Sequence, residues 1–369
     1  ANPDEYAEWA EALLVRLRDV HGITADYYCI CNEAGNDNVF TPQVVAKMAK
    51  ALMPRLRRLG FQTKLQFPES INAGEAWRYI QSLAGDAEFW PWVGCLSYHW
   101  YGSRNPQFMP LISQFAAGKG IPTAQTEFMN LTIDHLYDDM VLAGVSYWEI
   151  YGLASPDYEA ALTHISSTAF RGGPWYWKFR QVSHYVRPGA VRVEAVSDDP
   201  SVRCLAYDSE GRLTVVLINT AAWSARRTVF VQGLRPGLYG ISRAVGKLPY
   251  EEAGRVTVNS DGRCTIALPA DTVLTIYPRP ETNLPPEVIE WRADPDFLHL
   301  PASGAVLRCG AVDPDGDALT CRWTVVSCPS PAKVTVAAPD SFITKVSGMD
   351  QAGDYLFRAV VSDGREKRT

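Results

Sequence analysis

Histidine is scarce in this 369-residue chain, cysteine is scattered, and no apolar run approaches the length of a membrane span. The six histidines (His21, His99, His135, His164, His184 and His299) include no pair at metal-ligand spacing on a helix, so neither a catalytic metal nor a cofactor is expected. Eight cysteines are too few and too dispersed for a disulfide scaffold. Cys29 and Cys31 flank one residue of a predicted strand and read as core thiols. Cys204 with Cys264, and Cys309 with Cys321 or Cys328, are pairs that an exported chain would offer, with free buried thiols as the expected default. A G-x-S-x-G elbow, an H-E-x-x-H helix, a P-loop and a G-x-G-x-x-G turn are all missing, which leaves serine-elbow, zinc-protease and nucleotide chemistry without support. Positive charge is in deficit: 35 Lys and Arg against 41 Asp and Glu give a net charge of −6. That balance argues against nucleic acid or an anionic membrane and for a neutral polymer or small neutral ligand.

What is present is ordered in two textures. The first half alternates helix and strand patterns. An amphipathic helix over 4–19 puts Trp9, Leu13, Leu14 and Leu17 on one face. Strand 24–31, helix 41–58, strand 62–67, helix 73–84, strand 92–98, helix 106–117, strand 121–126, helix 133–142 and strand 144–149 follow. Thr41-Pro42 is a helix start and Gly60 a helix stop. A βα series of this kind implies a parallel sheet. Five strands are found where a closed (β/α)8 barrel needs eight, so part of a barrel is expected, with three earlier βα units missing. After Gly189, short alternating runs divided by Ser209-Glu210-Gly211, Pro236-Gly237 and Ser260-Asp261-Gly262 read as an antiparallel β-sandwich. A proline-bearing link over 278–286 then leads to a second all-β stretch. The fold class expected is therefore α/β plus all-β, with a barrel part over 1–182, a sandwich over 183–281 and a further β-sandwich over 284–369.

Two glutamates close two of the predicted strands: Glu33 after Cys29-Ile30-Cys31-Asn32, and Glu127 after Thr123-Ala124-Gln125-Thr126. Carboxylates at the C-terminal ends of parallel strands are where a β/α barrel carries its chemistry. Two of them facing one cleft can cleave a glycosidic bond, one as proton donor and one as nucleophile. Glu33 suits the acid/base role, with Asn32 beside it for the sugar 2-hydroxyl, and Glu127 suits the nucleophile. Aromatic residues end the neighbouring strands, in Tyr98-His99-Trp100-Tyr101 and Ser146-Tyr147-Trp148-Glu149. Such rings stack on sugar faces, and Tyr or His can hydrogen-bond a carboxylate. Packing in the barrel core is the alternative for at least one member of each cluster. Glu69, after Phe67-Pro68, supplies a third acid that either orients a sugar hydroxyl or caps the next helix.

Asn32-Glu33 and Thr126-Glu127, with His99-Trp100-Tyr101 between them and Trp148 after them, resemble the retaining (β/α)8 glycoside hydrolases of the clan holding families 5, 30, 39 and 51. Two stretches look most like family 30: Tyr176-Trp177-Lys178-Phe179-Arg180 running on to Arg187-Pro188-Gly189, and Leu268-Pro269-Ala270-Asp271-Thr272-Val273-Leu274-Thr275. The resemblance covers about residues 1–278. It implies Glu33 as acid/base, Glu127 as nucleophile, Asn32 on the 2-hydroxyl, Tyr101 or His99 near the nucleophile, and Trp148 as floor of the sugar site. The proline that usually follows the acid/base is replaced by Ala34, then Gly35-Asn36. The tail from Leu284, with Asp313-Pro314-Asp315-Gly316-Asp317, Trp323 and Val361-Ser362-Asp363-Gly364, resembles a PKD or cadherin-like immunoglobulin-type module. In that tail the aspartate run reads as a turn between strands, with a calcium loop as the lesser alternative, because its glycine falls too early for an EF-hand. The chain starts at Ala1 with no signal-peptide pattern and so reads as processed or truncated. Because modules like that of the tail are common in exported bacterial enzymes acting on polysaccharides, the resemblance implies a secreted or cell-surface bacterial protein. The expected partner is a carbohydrate substrate, with no nucleic acid and no membrane span. A non-catalytic carbohydrate-binding or adhesion protein on a degenerate barrel is the competing expectation.

Overall fold

The computed structural model of the chain describes residues 2–36, 39–103, 105–152, 162–164, 170–220, 226–279 and 282–369. Two compact units divide it, residues 1–152 and 153–369.

The first unit is a βα series. Helix α1 (Pro3–His21) starts on an Asn2 cap and stops at Gly22, whose φ of 66° is the left-handed conformation that glycine adopts without strain. It buries a narrow stripe of Ala7, Ala10 and Leu14 and leaves Trp9 61% and Leu13 38% exposed. The face expected to be buried is thus turned by about one residue step, because small alanines let α1 approach α2 closely. Strand β1 (Tyr27–Tyr28) is shorter than expected, since Cys29 already bends the chain and bonds its thiol to the Cys31 carbonyl. Helix α2 (Pro42–Arg58) begins on the Thr41 cap with Pro42 in its first turn. Its buried face holds Val45, Met48, Leu52, Met53 and Leu56, each stabilising by about 1.5–3 kcal/mol relative to exposure.

Strand β2 (Lys64–Ser70), helix α3 (Ala73–Leu83), strand β3 (Val93–His99), helix α4 (Met109–Lys119), strand β4 (Thr123–Glu127), helix α5 (Ile133–Asp138) and strand β5 (Tyr147–Trp148) complete the unit. A π turn over Asp139–Ala143 extends α5. The five strands pair in chain order, β1-β2-β3-β4-β5, and every pair is parallel. The sheet curls: Tyr27 on one edge strand and Tyr147 on the other meet edge to face, with ring centroids 5.9 Å apart. This is the curled half-barrel that five consecutive βα units build.

The second unit opens with a hairpin of β6 (Leu162–His164) and β7 (Phe170–Gly172), then helix α6 (Pro174–Ser183). The tail of the barrel segment read over 1–182 therefore lies in this unit. Trp177 of α6 packs with Ala244 and Tyr250, and Lys178 bonds Asp271 at 2.6 Å. A six-stranded antiparallel sheet is built from β8 (Val191–Val193), β9 (Arg203–Ser209), β10 (Arg212–Asn219), β12 (Gly237–Val245), β13 (Glu251–Val258) and β15 (Thr272–Pro278). It shares a core with the pair β11 (Arg227–Gln232) and β14 (Arg263–Leu268), through Leu217, Leu234, Tyr239, Ile266, Leu274 and Ile276.

Beyond the link, which is described except at 280 and 281, two antiparallel sheets face one core. One pairs β16 (Glu287–Asp294), β17 (Ala305–Val312), β20 (Ile343–Ser347) and β19 (Thr335–Val336). The other pairs β18 (Thr320–Ser327), β21 (Leu356–Ser362) and β22 (Lys367–Arg368). Leu307, Cys309, Cys321, Trp323, Val346 and Val361 fill the space between them. All eight cysteines are free thiols. Burial, with Cys321 alongside, pushes the Cys309 thiol up to about 12. No helix among the described residues is long and apolar enough to cross a membrane.

Candidate active site

Register shifts that skip Glu69 on β2 and Thr126 on β4 decide which side chains meet, and they bring Glu127 into register with His99. On one face of the sheet, Glu69 (β2), His99 (β3) and Thr126 (β4) converge. Glu69 accepts from Gln66 Nε2 at 2.7 Å and from Thr126 Oγ1 at 2.9 Å, and its other oxygen lies 3.2 Å from His99 Nε2. The opposite ring nitrogen of His99 stands 3.5 Å from Glu33 Oε1, an ion-pair contact at the outer limit of a hydrogen bond. Glu127 accepts from the Tyr101 hydroxyl at 3.0 Å. One carboxylate oxygen each of Glu33 and Glu127, and a ring nitrogen of His99, all lie within 4.8 Å of one another. The two glutamates singled out from sequence therefore face one point, with His99 between Glu33 and Glu69.

The backbone there is unusual. Glu33 and Glu69 sit at φ 51° and 56°, the left-handed region that costs a non-glycine residue about 1–3 kcal/mol. Ala34 bridges Ser70 in parallel fashion, which ties the two glutamate loops together. Gly35 follows at φ 102°, and a Cβ there would stand 2.9 Å from Glu75 Oε2. The Asn36 amide donates to Glu33 Oε2 at 2.6 Å. Asn32 lies exposed beside Glu33.

Electrostatics follow from this packing. Burial pushes the His99 imidazole down, but the Glu69 hydrogen bond and the charges of Glu69 and Glu127 outweigh it and hold the ring above its ordinary value. Burial likewise pushes Glu69 up, and the hydrogen bond and charge of His99 overcome it, so the carboxyl stays below its usual range. Glu69 is 6% exposed, and the helix-capping role falls instead to Asn72, which accepts from the amides of Gly74 and Glu75. Glu33, His99 and Glu127 have the donor types of a metal site. His99 Nε2 is committed to Glu69, and Nδ1 is the ring nitrogen that faces Glu33.

The opposite face of the sheet holds a group that the sequence did not disclose. Tyr98, Gln125 and Trp148 are register partners on β3, β4 and β5. Asp139, fully buried in the π turn, accepts from the Tyr98 hydroxyl at 2.5 Å, from Trp100 Nε1 at 2.9 Å and from Trp148 Nε1 at 2.9 Å. Burial pushes the Asp139 carboxyl up to about 7, against the pull of those three donors. The Trp148 indole nitrogen is thus committed to Asp139, and pairing of β5 with β4 sets Trp148 beside Gln125. Tyr147 is the β5 residue whose ring reaches across to Tyr27. The signal for Asp139 was an acid on the apolar stripe of its helix, in line with Ile133, Leu136 and Ala143.

The aspartate run of the tail forms a turn in which Asp313 Oδ1 accepts from the amides of Asp315 and Asp317, and Arg279 and Arg255 pair with Asp315. One oxygen each of Asp313, Asp315 and Asp317 lie within 4.8 Å of one another, the donor type of a calcium loop.

No protein-family model matches the chain, and no curated protein matches it. Solved structures do. The family 30 endoxylanase from Clostridium papyrosolvens C71 superimposes with a TM-score of 0.62 at 20% identity, over 74% of this chain and 70% of that one. The fold is glycoside hydrolase family 30-like. A family 30 subfamily 8 xylanase from Clostridium acetobutylicum gives a TM-score of 0.62 at 18% identity, over 74% of this chain and 71% of that one. A conserved exported protein from Bacteroides fragilis gives 0.58 at 16%, over 74% and 69%. These family 30-like matches span both the parallel sheet and residues beyond it, as a domain of half-barrel and sandwich requires.

Proposed function

We propose that the chain is a retaining glycoside hydrolase, cleaving β-glycosidic bonds of a polysaccharide or glycoconjugate by double displacement. The observation that carries this reading is the approach of Glu33 and Glu127 to one point within 4.8 Å. That approach puts both acids on one reacting centre. The choice of a retaining pair, with carboxyl groups about 5–5.5 Å apart against about 6.5–9.5 Å for an inverting one, rests on the resemblance to family 30 and is what the configuration of the product tests.

In the first step Glu127 attacks the anomeric carbon while Glu33 gives its proton to the departing glycosidic oxygen. A glycosyl ester on Glu127 results. In the second step Glu33 takes a proton from water, the water oxygen bonds to the anomeric carbon, and the ester oxygen returns to Glu127. Tyr101 holds one oxygen of Glu127 and leaves the other for attack. Glu69 fixes the His99 ring from behind, and His99 presents its second nitrogen to Glu33. Exposed Asn32 is placed for a substrate hydroxyl. The xylan-acting neighbours make xylan the first polysaccharide to try. The two sheets of the tail are read as a PKD or cadherin-like module, and the protein as exported, in keeping with the Bacteroides fragilis neighbour.

The test is to incubate the chain with xylan and with 4-nitrophenyl β-glycosides and follow the anomeric configuration of the first product by NMR. Retention, with a fluorosugar adduct mapped to Glu127 by mass spectrometry, is the expected result. An inverted product, or an adduct on another residue, would sink the mechanism. Saccharide binding without turnover would favour the adhesion alternative.

A further inference from the structure

Asp139 is absent from the mechanism above, yet it is the point on which three side chains from the strands around Glu127 converge. Tyr98 and Trp100 come from the end of β3, and Trp148 comes from β5. The strand between them, β4, ends in Glu127. Trp100 is also tied directly to that end, since its amide donates to the Glu127 carbonyl at 3.3 Å. Next along the chain, Tyr101 holds the Glu127 carboxylate. The start of β4 is fastened to the same turn, where Thr123 Oγ1 donates to the Ala143 carbonyl at 2.8 Å. A π turn provides this geometry because its extra residue pushes one side chain out of helical register, a form frequent at functional sites.

We propose that Asp139 is a positioning residue: its carboxylate pins the ends of β3 and β5 to one point and thereby fixes the end of β4 that carries Glu127. The inference rests on Glu127 belonging to the reactive centre. Both indoles reach Oδ2, and Trp100 Nε1 also lies 3.1 Å from Oδ1, the oxygen that Tyr98 reaches. An asparagine with its carbonyl in the place of Oδ2 would keep both indole bonds there and reverse the third, its amide donating to the tyrosine oxygen. An alanine would take this acceptor away from all three donors. The groups facing Asp139 are the Tyr98 hydroxyl, the two indoles and neighbouring Asp138, with His135 stacked against Trp100 at 4.9 Å.

The experiment reads the indole N–H resonances of Trp100 and Trp148, assigned with Trp100→Phe and Trp148→Phe, and the side-chain carboxyl 13C resonance of Glu127, in the full chain. In wild type both indole signals shift together with a midpoint near 7, the value to which burial raises Asp139. Asp139→Ala moves both indole signals and the Glu127 carboxyl signal. Asp139→Asn restores the wild-type positions and removes the midpoint. On xylan, the alanine variant loses about 10- to 100-fold in kcat with a smaller change in KM, and the asparagine variant recovers to within about threefold. A Glu127 signal unmoved in Asp139→Ala, or a midpoint that persists in Asp139→Asn, would overturn the proposal. If the alanine variant does not fold, the asparagine variant alone decides by that midpoint. The readout is separable from the glycosidase reading. Glu127→Gln with undiminished turnover overturns that reading while the resonances still report the pin, and a dead Glu127→Gln beside a fully active, folded Asp139→Ala overturns the pin alone.

Discussion

Each unit of the molecule carries a carboxylate cluster with a histidine and a tyrosine in it, and the two clusters differ in the cation that serves them. In the second unit Glu287 receives Arg180, His184 at 3.2 Å and the Tyr250 hydroxyl at 2.6 Å. Burial would raise its pKa, but those partners hold it down to about 2. Arg180 also stands 3.5 Å from the centre of the Tyr250 ring. Arg180 gives that cluster a permanent cation beside the titratable His184, and the cluster fastens α6 and the sandwich to β16. In the first unit the cation is a titratable histidine among three glutamates, two of them on strained backbone. A carboxylate saturated by arginine is a clamp. Carboxylates that share one histidine at strand ends lack a permanent cation to saturate them, which is the setting the proposed proton transfer and attack would use.

The comparison breaks most sharply on activity. Glu127→Gln should lose turnover to background while keeping its melting temperature, and Glu33→Gln should lose about 10²- to 10⁴-fold on a substrate whose leaving group needs protonation. On an aryl glycoside with an acidic phenol the Glu33→Gln loss should be much smaller in the first step. Equal losses on both substrates would remove Glu33 from the proton-donor role.

The clamp should respond the other way. Arg180→Met leaves Glu287 half matched and should destabilise by about 3–5 kcal/mol, read by denaturant unfolding, with kcat unchanged in the fraction that remains folded. A variant as stable as wild type would make the clamp ornamental.

Acidity sharpens the contrast further. Glu69 has its pKa lowered on folding, so its contribution is present above the unfolded value and is lost as pH falls through the folded one. His99 has its pKa raised, so its contribution is complete below the unfolded value and is lost as pH rises through the folded one. The pair therefore supports the first unit between those two folded pKa values, and Glu69→Gln should flatten both limbs of a melting temperature against pH curve. Limbs unchanged in that variant would place the ionisation elsewhere. The smallest effect expected is Gly35→Ala, about 1–2 kcal/mol from a left-handed backbone, measurable as a lower unfolding midpoint.

Much of the first unit was legible in sequence because its signals are local. Thr41-Pro42 and Gly60 bound α2 by capping chemistry, and the apolar period placed five strands in an order that the parallel sheet keeps. Strand lengths were not legible at β1 and β5, where only two residues pair, because hydrogen bonding to a neighbour and not residue preference ends a short strand. Glu33 and Glu127 were legible as strand-end acids. Glu69 was undervalued because its worth lies in partners 30 and 57 residues away, His99 and Thr126. The bond from Trp148 to Asp139 was not legible for a related reason: it depends on the pairing of β5 with β4, which the strand's own residues do not set.

The sequence by itself determined the alternation of helices and strands, the passage to all-β structure after Gly189, and the two glutamates that end their strands. Those are consequences of periodicity, capping and turn chemistry, which act over a few residues. Only the tertiary structure decided that Glu33 and Glu127 meet, that His99 is held between Glu33 and Glu69, and that Asp139 gathers Tyr98, Trp100 and Trp148. Such meetings depend on sheet register and curl, and a single step in either moves every side chain to a different face.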